Sequence, residues 1–520
     1  MQAEIIFRDA AIYDGTGGPC YHGDVAVKEG KIAAIGRRLP LRALREVDCK
    51  GLALSPGFID SHSHQDMALE AHPACRNALE QGITTLVGGM CGESPAPLNP
   101  DRLEDCLRVT GRPANDRALK AREHMADYLA YLQETPLGAN CAFLVGHGNL
   151  RACVMGYESR KATEAELKEM QALLAECMDG GAKGLSFGLI YPPGSYADTE
   201  ELTAMARVAA ERGGLFTVHM RSENSGLIEA TDEMLRVAEQ SGARCVISHH
   251  KATGGRMNWN KTAATLALME QAARRGVDVF CDQYPYTASA TGLSTNIPDK
   301  MHALGVEKLL ELLSPARREE LRPVICGSKT PEERFQYTMI GWSESHPEYA
   351  GRMLNEIARE QGIDPYDLQC DLLISDRLGT SGIFHTMCEQ DVERVMAWHR
   401  TMIGTDGVSY GNNAPAHPRT FATFPRVLGR YVREKQVITL EEAIRKMTSL
   451  PAAVYQLKGK GLLREGMDAD LVLFDPETIG DRADYTHPLE KNCGLRMVLV
   501  NGQIAVEDNL ATGILAGRQV

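Results

Sequence analysis

The chain has 520 residues, about three to four times the length of an ordinary domain, so one large barrel with attachments or several domains is expected. Fifty-six Lys and Arg against 69 Asp and Glu leave a net charge of −13, which argues against nucleic acid or an anionic membrane as partner. With 43% hydrophobic and 24% charged residues and no biased tract, disordered and fibrous classes are excluded.

The segment from Ala3 to about Pro40 alternates short apolar runs with turn residues such as Asp14-Gly15 and Gly30, which predicts antiparallel strands. Its start, "MQAEIIFRDAAIYDG", lacks a basic region followed by a long apolar run, and no apolar stretch is long enough to span a bilayer. A cytoplasmic chain is therefore expected. The fourteen cysteines include no C-x-x-C pair and read as buried reduced thiols rather than a disulfide framework.

From about Ser55 the rhythm changes to βα units: apolar runs alternate with helices that open on caps and stop at glycine. "TEAELKEMQALLAECMDGG" carries a capping box at Thr163 and Glu166, "DTEELTAMARVAAERGG" offers Asp198 with Glu201, and "ATLALMEQAARRG" ends on Gly276. Eight strand candidates follow in order: "GFIDSHSH", "ITTLVGGMC", "CAFLVGHG", "AKGLSFGL", "LFTVHM", "RCVISHH", "VDVFCDQY" and "TMIGTDG". Eight parallel strands with intervening helices make an α/β fold of the (β/α)8 TIM-barrel type. Two connections, Gly92 to Asn140 and Gln283 to His399, are too long for simple loops. The second contains helical text, and within it residues 285–399 are expected to form a lid over the barrel mouth.

The carboxy-terminal text returns to strands, "DADLVLFD" and "RMVLVNGQIAVED", with Asn501-Gly502 as a hairpin turn. Residues 1–54 and 457–520 are thus expected to form one small β domain from both ends, and residues 55–456 the barrel.

His62 and His64 lie two apart at a strand, so both imidazoles project to one face, a geometry that suits a metal ion. Taken alone, the pair reads equally well as two polar residues at a strand end. Cys91, His219, His249 and Asp406 fall at the ends of other strands, and a barrel brings such ends together. Imidazole, thiolate and carboxylate together suit zinc better than magnesium or calcium. Each member alone has a plainer reading: Cys91 as a core thiol, His219 as a hydrogen-bonded core histidine, Asp406 as a turn former. Their coincidence at strand ends is what those readings leave unexplained. Of His249 and His250 only one faces inward, and periodicity does not choose between them.

"SPGFIDSHSHQD", "FTVHMRSE", "ISHHK" and "MIGTDG", in this order, resemble the amidohydrolase superfamily of metal-dependent hydrolases. Within it, "LIYPPGSYADTEEL", "DQYPYTASATGL", "HPRTFATFPRVLGRYV" and "GMDADLVLFDPETIGDRADY" are similar to the N-acyl-D-amino-acid deacylases, or D-aminoacylases, and the likeness covers nearly the whole chain. The resemblance implies a zinc-bearing (β/α)8 barrel beside a small β-sandwich formed by both termini, and hydrolysis of N-acyl-D-amino acids to a carboxylate and a free D-amino acid. It implies that His62 and His64 serve one metal position, with Cys91, His219 and His249 holding the tighter Zn2+. It thereby selects His249 over His250, and makes Asp406 the carboxylate at the end of strand eight.

Zinc there would supply an activated water and polarise the carbonyl. Asp406 would move the proton from that water to the leaving amine, and Tyr191 would donate to the developing oxyanion. Arg419 of "HPR" suits the substrate's α-carboxylate because guanidinium binds carboxylates bidentately, and the resemblance adds Lys251, Tyr284 and, at lower rank, Ser289. The chain departs from the family pattern at Met90, where asparagine is usual, at Glu93, where an apolar or small residue is expected, and at Ala290, where serine would follow Ser289. Lys183 lies in the fourth strand candidate, near where lysine-bridged relatives keep a modified lysine, and is a candidate metal bridge. A hydrolase of cyclic amides on the same barrel would use Lys183 and a second metal without needing Cys91. A binding or scaffolding protein without catalysis is the third reading, and the six filled ligand positions count against it. The partner expected is a small molecule, and self-association stays open.

Overall fold

The computed structural model describes residues 2–110, 120–408 and 417–520. The chain opens with β1 (Gln2–Ile12), β2 (Tyr21–Lys28), β3 (Lys31–Gly36), β4 (Arg42–Asp48) and β5 (Ala53–Pro56), and closes with four further strands that belong to the same sheet. Between them lie β6 (Phe58–Asp60), β7 (Ile83–Gly88), β8 (Asn140–Phe143), β9 (Val145–Gly146), β10 (Gly184–Gly188), β11 (Leu215–His219), β12 (Arg244–Ile247) and β13 (Val279–Gln283). There follow β14 (Ser289–Gly292), β15 (Thr338–Trp342), β16 (Ser381–Phe384) and β17 (Thr401–Ile403). The last four are β18 (Leu471–Phe474), β19 (Leu495–Val500), β20 (Gln503–Glu507) and β21 (Leu510–Ala511).

The eight sequence runs become the eight strands of a parallel barrel. β8 and β9 are one strand interrupted at Leu144, whose N–H still donates to Gly88 O at 2.9 Å. The order runs β6-β7-β8, then β9-β10-β11-β12-β13-β17. The ring closes where Ser61 N donates to Ile403 O (3.3 Å) and Asp406 N to His62 O (2.8 Å). Inside, Ile59, Val87, Ala142, Leu144, Leu215, Val246 and Met402 form one apolar cluster, as barrel interiors require. Outside, the predicted caps hold: Thr163 and Glu166 bond each other's backbone N–H at the start of Glu164–Asp179, and Asp198 accepts from Glu201 N before Thr199–Glu211.

The terminal strands make one mixed sheet in the order β21-β20-β19-β18-β5-β1-β2-β3, with β4 beside β1. Both ends supply its apolar cluster, including Phe7, Ile12, Val25, Leu471, Leu473 and Leu499. Asn501 (φ 48°) and Gly502 (φ 83°) form the β19–β20 turn, a left-handed pair that two-residue hairpins require. The expected boundary after residue 54 falls inside β5, because that strand pairs with β18 through Pro56 before the chain passes into β6.

Between β13 and β17 the insertion forms its own antiparallel sheet, β14-β16-β15, over a separate cluster that includes Leu293, Leu309, Phe335, Leu354, Tyr366 and Leu372. The other long connection, Gly92 to Asn140, lies partly outside the described residues. No helix among the described residues is long and apolar enough to cross a membrane.

Candidate metal centre

Parallel strands all end at the same mouth, and six ligand-type side chains meet there. Cys91 follows β7, His219 ends β11, His249 follows β12, and Asp406 follows β17. His62 and His64 continue from β6 with ring centroids 5.4 Å apart. Cys91 Sγ lies 3.4 Å from His62 Nε2, 3.8 Å from His219 Nδ1 and 3.4 Å from His249 Nε2. Asp406 Oδ1 lies 3.3 Å from His64 Nε2 and 3.6 Å from His62 Nε2. Three overlapping donor triads result: His62–His64–Cys91, Cys91–His219–His249 and His62–His249–Asp406.

Three of these residues have left-handed backbones: Cys91 at φ 52°, His249 at φ 37° and Asp406 at φ 48°. Such conformations cost non-glycine residues energy and cluster at functional sites, where surrounding structure holds them. At Cys91 the holding structure is close backbone contact. A Cβ on Gly188 would sit 1.8 Å from Cys91 O, so only glycine lets β10 approach the turn.

The donors are in a state that suits a metal. Burial holds His219 and His249 well below the usual imidazole range, so both are neutral and offer a lone pair. Without a metal, burial pushes the Cys91 thiol up to about 12, although His64 pulls it down. Thiol and imidazole donors within reach of one point are a zinc set.

A second layer, absent from the sequence reading, orients these ligands. Asp282, fully buried on β13, lies 3.2 Å from His62 Nδ1 and accepts from His249 N at 2.6 Å. Glu223 Oε1 lies 3.0 Å from His249 Nδ1, and its Oε2 3.8 Å from His219 Nε2. A carboxylate hydrogen-bonded to one imidazole nitrogen turns the other to the metal, as Asp282 does at His62; at His249 Nδ1 Glu223 shares the nitrogen with Lys251 Nζ, 2.8 Å away. Asp282 in "FCDQY" could have been suspected as an acid at a strand's end; Glu223, four residues past His219, had no such signal. His250 bonds Thr265 Oγ1 (2.8 Å) and faces away, so His249 is the histidine that joins the cluster.

Around the cluster stand the residues expected to meet substrate. Arg419 Nη1 is 2.7 Å from Asp406 Oδ2, and its guanidinium lies 4.8 Å from the Tyr284 ring centre. Burial pushes the Asp406 carboxyl up, but Arg419, with a hydrogen bond from His64, outweighs it and holds it well below the usual carboxylate range. Lys251 Nζ is 5.6 Å from the same tyrosine ring and donates to Glu223 Oε1 at 2.6 Å. Tyr191 sets its ring 5.0 Å from that of His219, and its Oη lies 3.1 Å from Thr291 Oγ1, a neighbour the sequence did not suggest. Ser289 lies on the same face of β14 as Thr291, while Ala290 packs against the apolar cluster of Ala288, Met339 and Ile383.

Lys183 is not brought in. It precedes β10, whose Gly188 pairs with His219, so it sits a strand's length away, roughly 16 Å at about 3.3 Å per residue. Its charge meets that of Lys458 instead, and the bridging expectation is corrected: a residue ahead of a parallel strand lies at the opposite mouth.

A sequence model described as the amidohydrolase family matches residues 45–506. A D-aminoacylase of Alcaligenes xylosoxydans xylosoxydans is 37% identical over 518 residues, covering 99% of this chain and 97% of that protein. An N-acyl-D-glutamate deacylase from the same organism is 38% identical over 502 residues, covering 96% and 93%. Among solved structures, the N-acyl-D-glutamate deacylase of Bordetella bronchiseptica, crystallised with zinc and a phosphonate inhibitor, superposes with a TM-score of 0.83 at 34% identity, covering 100% and 99%.

Proposed function

Since the chain belongs to the amidohydrolase family, we propose that it is a zinc-dependent enzyme hydrolysing the amide bond of N-acyl-D-amino acids, releasing a carboxylate and a free D-amino acid. The observation that carries the site assignment is the convergence of Cys91, His219 and His249 on one point, with His62, His64 and Asp406 bordering it. Cys91, His219 and His249 hold the tight zinc, and His62 with His64 the second position. Zinc bound there supplies an activated water and Lewis acidity toward the amide carbonyl.

The protein's own groups do the rest. Asp406 has one oxygen held by Arg419 and the other, Oδ1, turned to His62 and His64. Oδ1 is the atom that takes the water's proton and returns it to the amine nitrogen, and the depressed acidity range keeps it ionised between turnovers. Tyr191 donates to the developing oxyanion, with Thr291 as the donor to its phenol oxygen. Arg419 binds the α-carboxylate beside Tyr284, and Lys251, fixed on Glu223, lends positive potential from the next strand. Fourteen free cysteines suit a reducing cytoplasm.

The site also speaks against the cyclic-amide reading, whose bridging lysine would have to be Lys183 at the far mouth. The test is amine release from matched N-acetyl-D- and N-acetyl-L-amino acids before and after chelation. Turnover confined to D substrates and restored by zinc is the expected result. No turnover of any linear substrate with zinc present would overturn the proposal in favour of cyclic amides.

A further inference from the structure

Arg419 opens the helix Arg419–Arg426, and the first backbone N–H groups of a helix have no partner within it. His417 supplies one, since Arg419 N donates to His417 Nδ1 at 3.2 Å. On the other side of the ring, His417 Nε2 donates to Ala288 O at 3.0 Å. A carbonyl only accepts and a backbone N–H only donates, so the neutral imidazole with its hydrogen on Nε2 satisfies both partners at once. The ring is also walled in. It is buried, and the rings of Tyr284, Tyr286 and Tyr485 meet it edge-on with centres 6.1, 5.3 and 5.2 Å away.

The Arg419 side chain reaches the same stretch of backbone, with Nη2 donating to Ala290 O at 3.2 Å. The turn from His417 to Arg419 therefore grips the start of β14 at two carbonyls, Ala288 and Ala290. Together these grips set where the guanidinium lies beside Asp406 and over Tyr284. Without the first, the backbone that carries Arg419 loses its tie to that strand. We infer that His417 is a positioning residue: by tying the backbone of Arg419 to Ala288 it holds the guanidinium where the substrate's α-carboxylate arrives, and so sets how strongly the enzyme demands that carboxylate. This rests on the deacylase reading above, with Arg419 as the carboxylate site.

The experiment measures acetate release by the zinc-loaded enzyme and compares kcat/KM for the N-acetyl derivative of whichever D-amino acid turns over fastest with that for its α-carboxamide, which has the same shape without the charge. The parent is expected to favour the carboxylate by roughly 10- to 100-fold, the value of a hydrogen bond to a charged group. His417→Phe keeps a ring among the tyrosines and removes both nitrogens. Its ratio should fall by roughly tenfold through the carboxylate substrate, with the carboxamide within about twofold of the parent. A general loss of packing would lower both substrates alike. His417→Asn, whose amide oxygen takes the place of Nδ1, should recover part of the ratio. If His417→Phe does not fold, His417→Gln carries the test: it keeps a donor for Ala288 O and drops the acceptor for Arg419 N, so its ratio should still fall. A ratio that stays at the parent value, or two substrates that fall alike, overturns the role of His417 alone. A parent that cleaves no D substrate overturns the deacylase reading, and one that cleaves the carboxamide equally well overturns the carboxylate role of Arg419; in either case His417 has nothing to position.

Discussion

Arg419 and Asp406 are ion-paired at 2.7 Å inside the barrel mouth, so the residue we propose for the substrate's carboxylate also holds the residue we propose to move the proton. Arg419 has further donors, one of them 3.2 Å from Ala290 O, and its guanidinium can serve both partners. Arg419→Gln leaves a buried carboxylate without its cation, a loss of about 3–5 kcal/mol in stability. Steady-state kinetics should show KM rising and kcat falling together. A change in KM alone would mean that the pair with Asp406 has no bearing on the proton.

Asp406→Asn keeps the size and most of the polarity of the side chain but removes its basic oxygen. Zinc content, measured by metal analysis, should stay near the parent level because Cys91, His219 and His249 are untouched. Turnover should drop by about 10²- to 10⁴-fold. Near-normal turnover would defeat the proton role.

Asp282 is fully buried, and it faces His62 Nδ1 and fixes the backbone of His249. Asp282→Asn should weaken zinc retention by roughly 10- to 100-fold, read by competition with a chelator. Unaltered retention would leave Asp282 as a purely structural acid.

Away from the site, Glu201 is buried against Arg151 Nη1 (2.6 and 2.7 Å) and His147 Nε2 (2.8 Å). Burial pushes its carboxyl up, but His147 and Arg151 win and hold it at about 2, below the ordinary 4.5. Between those values the unfolded chain binds more protons than the folded one. The stabilisation, about 3 kcal/mol, is therefore complete above an unfolded pKa of roughly 4.5 and is lost as pH falls through the folded value. Thermal unfolding across acid pH should show Glu201→Gln lowering Tm at pH 7 and flattening the acid limb. An acid limb parallel to that of the parent chain would rule the group out.

What the sequence revealed follows from what repeats in it. The eight apolar runs and their capped helices are periodic, and a barrel carries the ends of such runs to one rim, which is why His62, His64, Cys91, His219, His249 and Asp406 could be gathered without coordinates. The left-handed backbones at Cys91, His249 and Asp406 depend on neighbours such as Gly188 that are far away in the chain. Glu223 is recognisable only once the imidazoles beside it are in place, whereas Asp282 stands at a strand's end as the ligand candidates themselves do. Lys183 misled because strand polarity was overlooked: the six residues that meet at the mouth all end or follow their apolar run, and this lysine precedes its own.

Lys31 and Asp468 are ion-paired across 437 residues of sequence, and β5, already beside β1, finds its second neighbour in β18. A ribosome adding about 5–20 residues per second needs on the order of tens of seconds between making the two halves of that sheet. During that interval β5, which leads directly into the segment bearing His62 and His64, has an open edge. The nascent chain must therefore keep that edge from pairing wrongly until β18 has emerged.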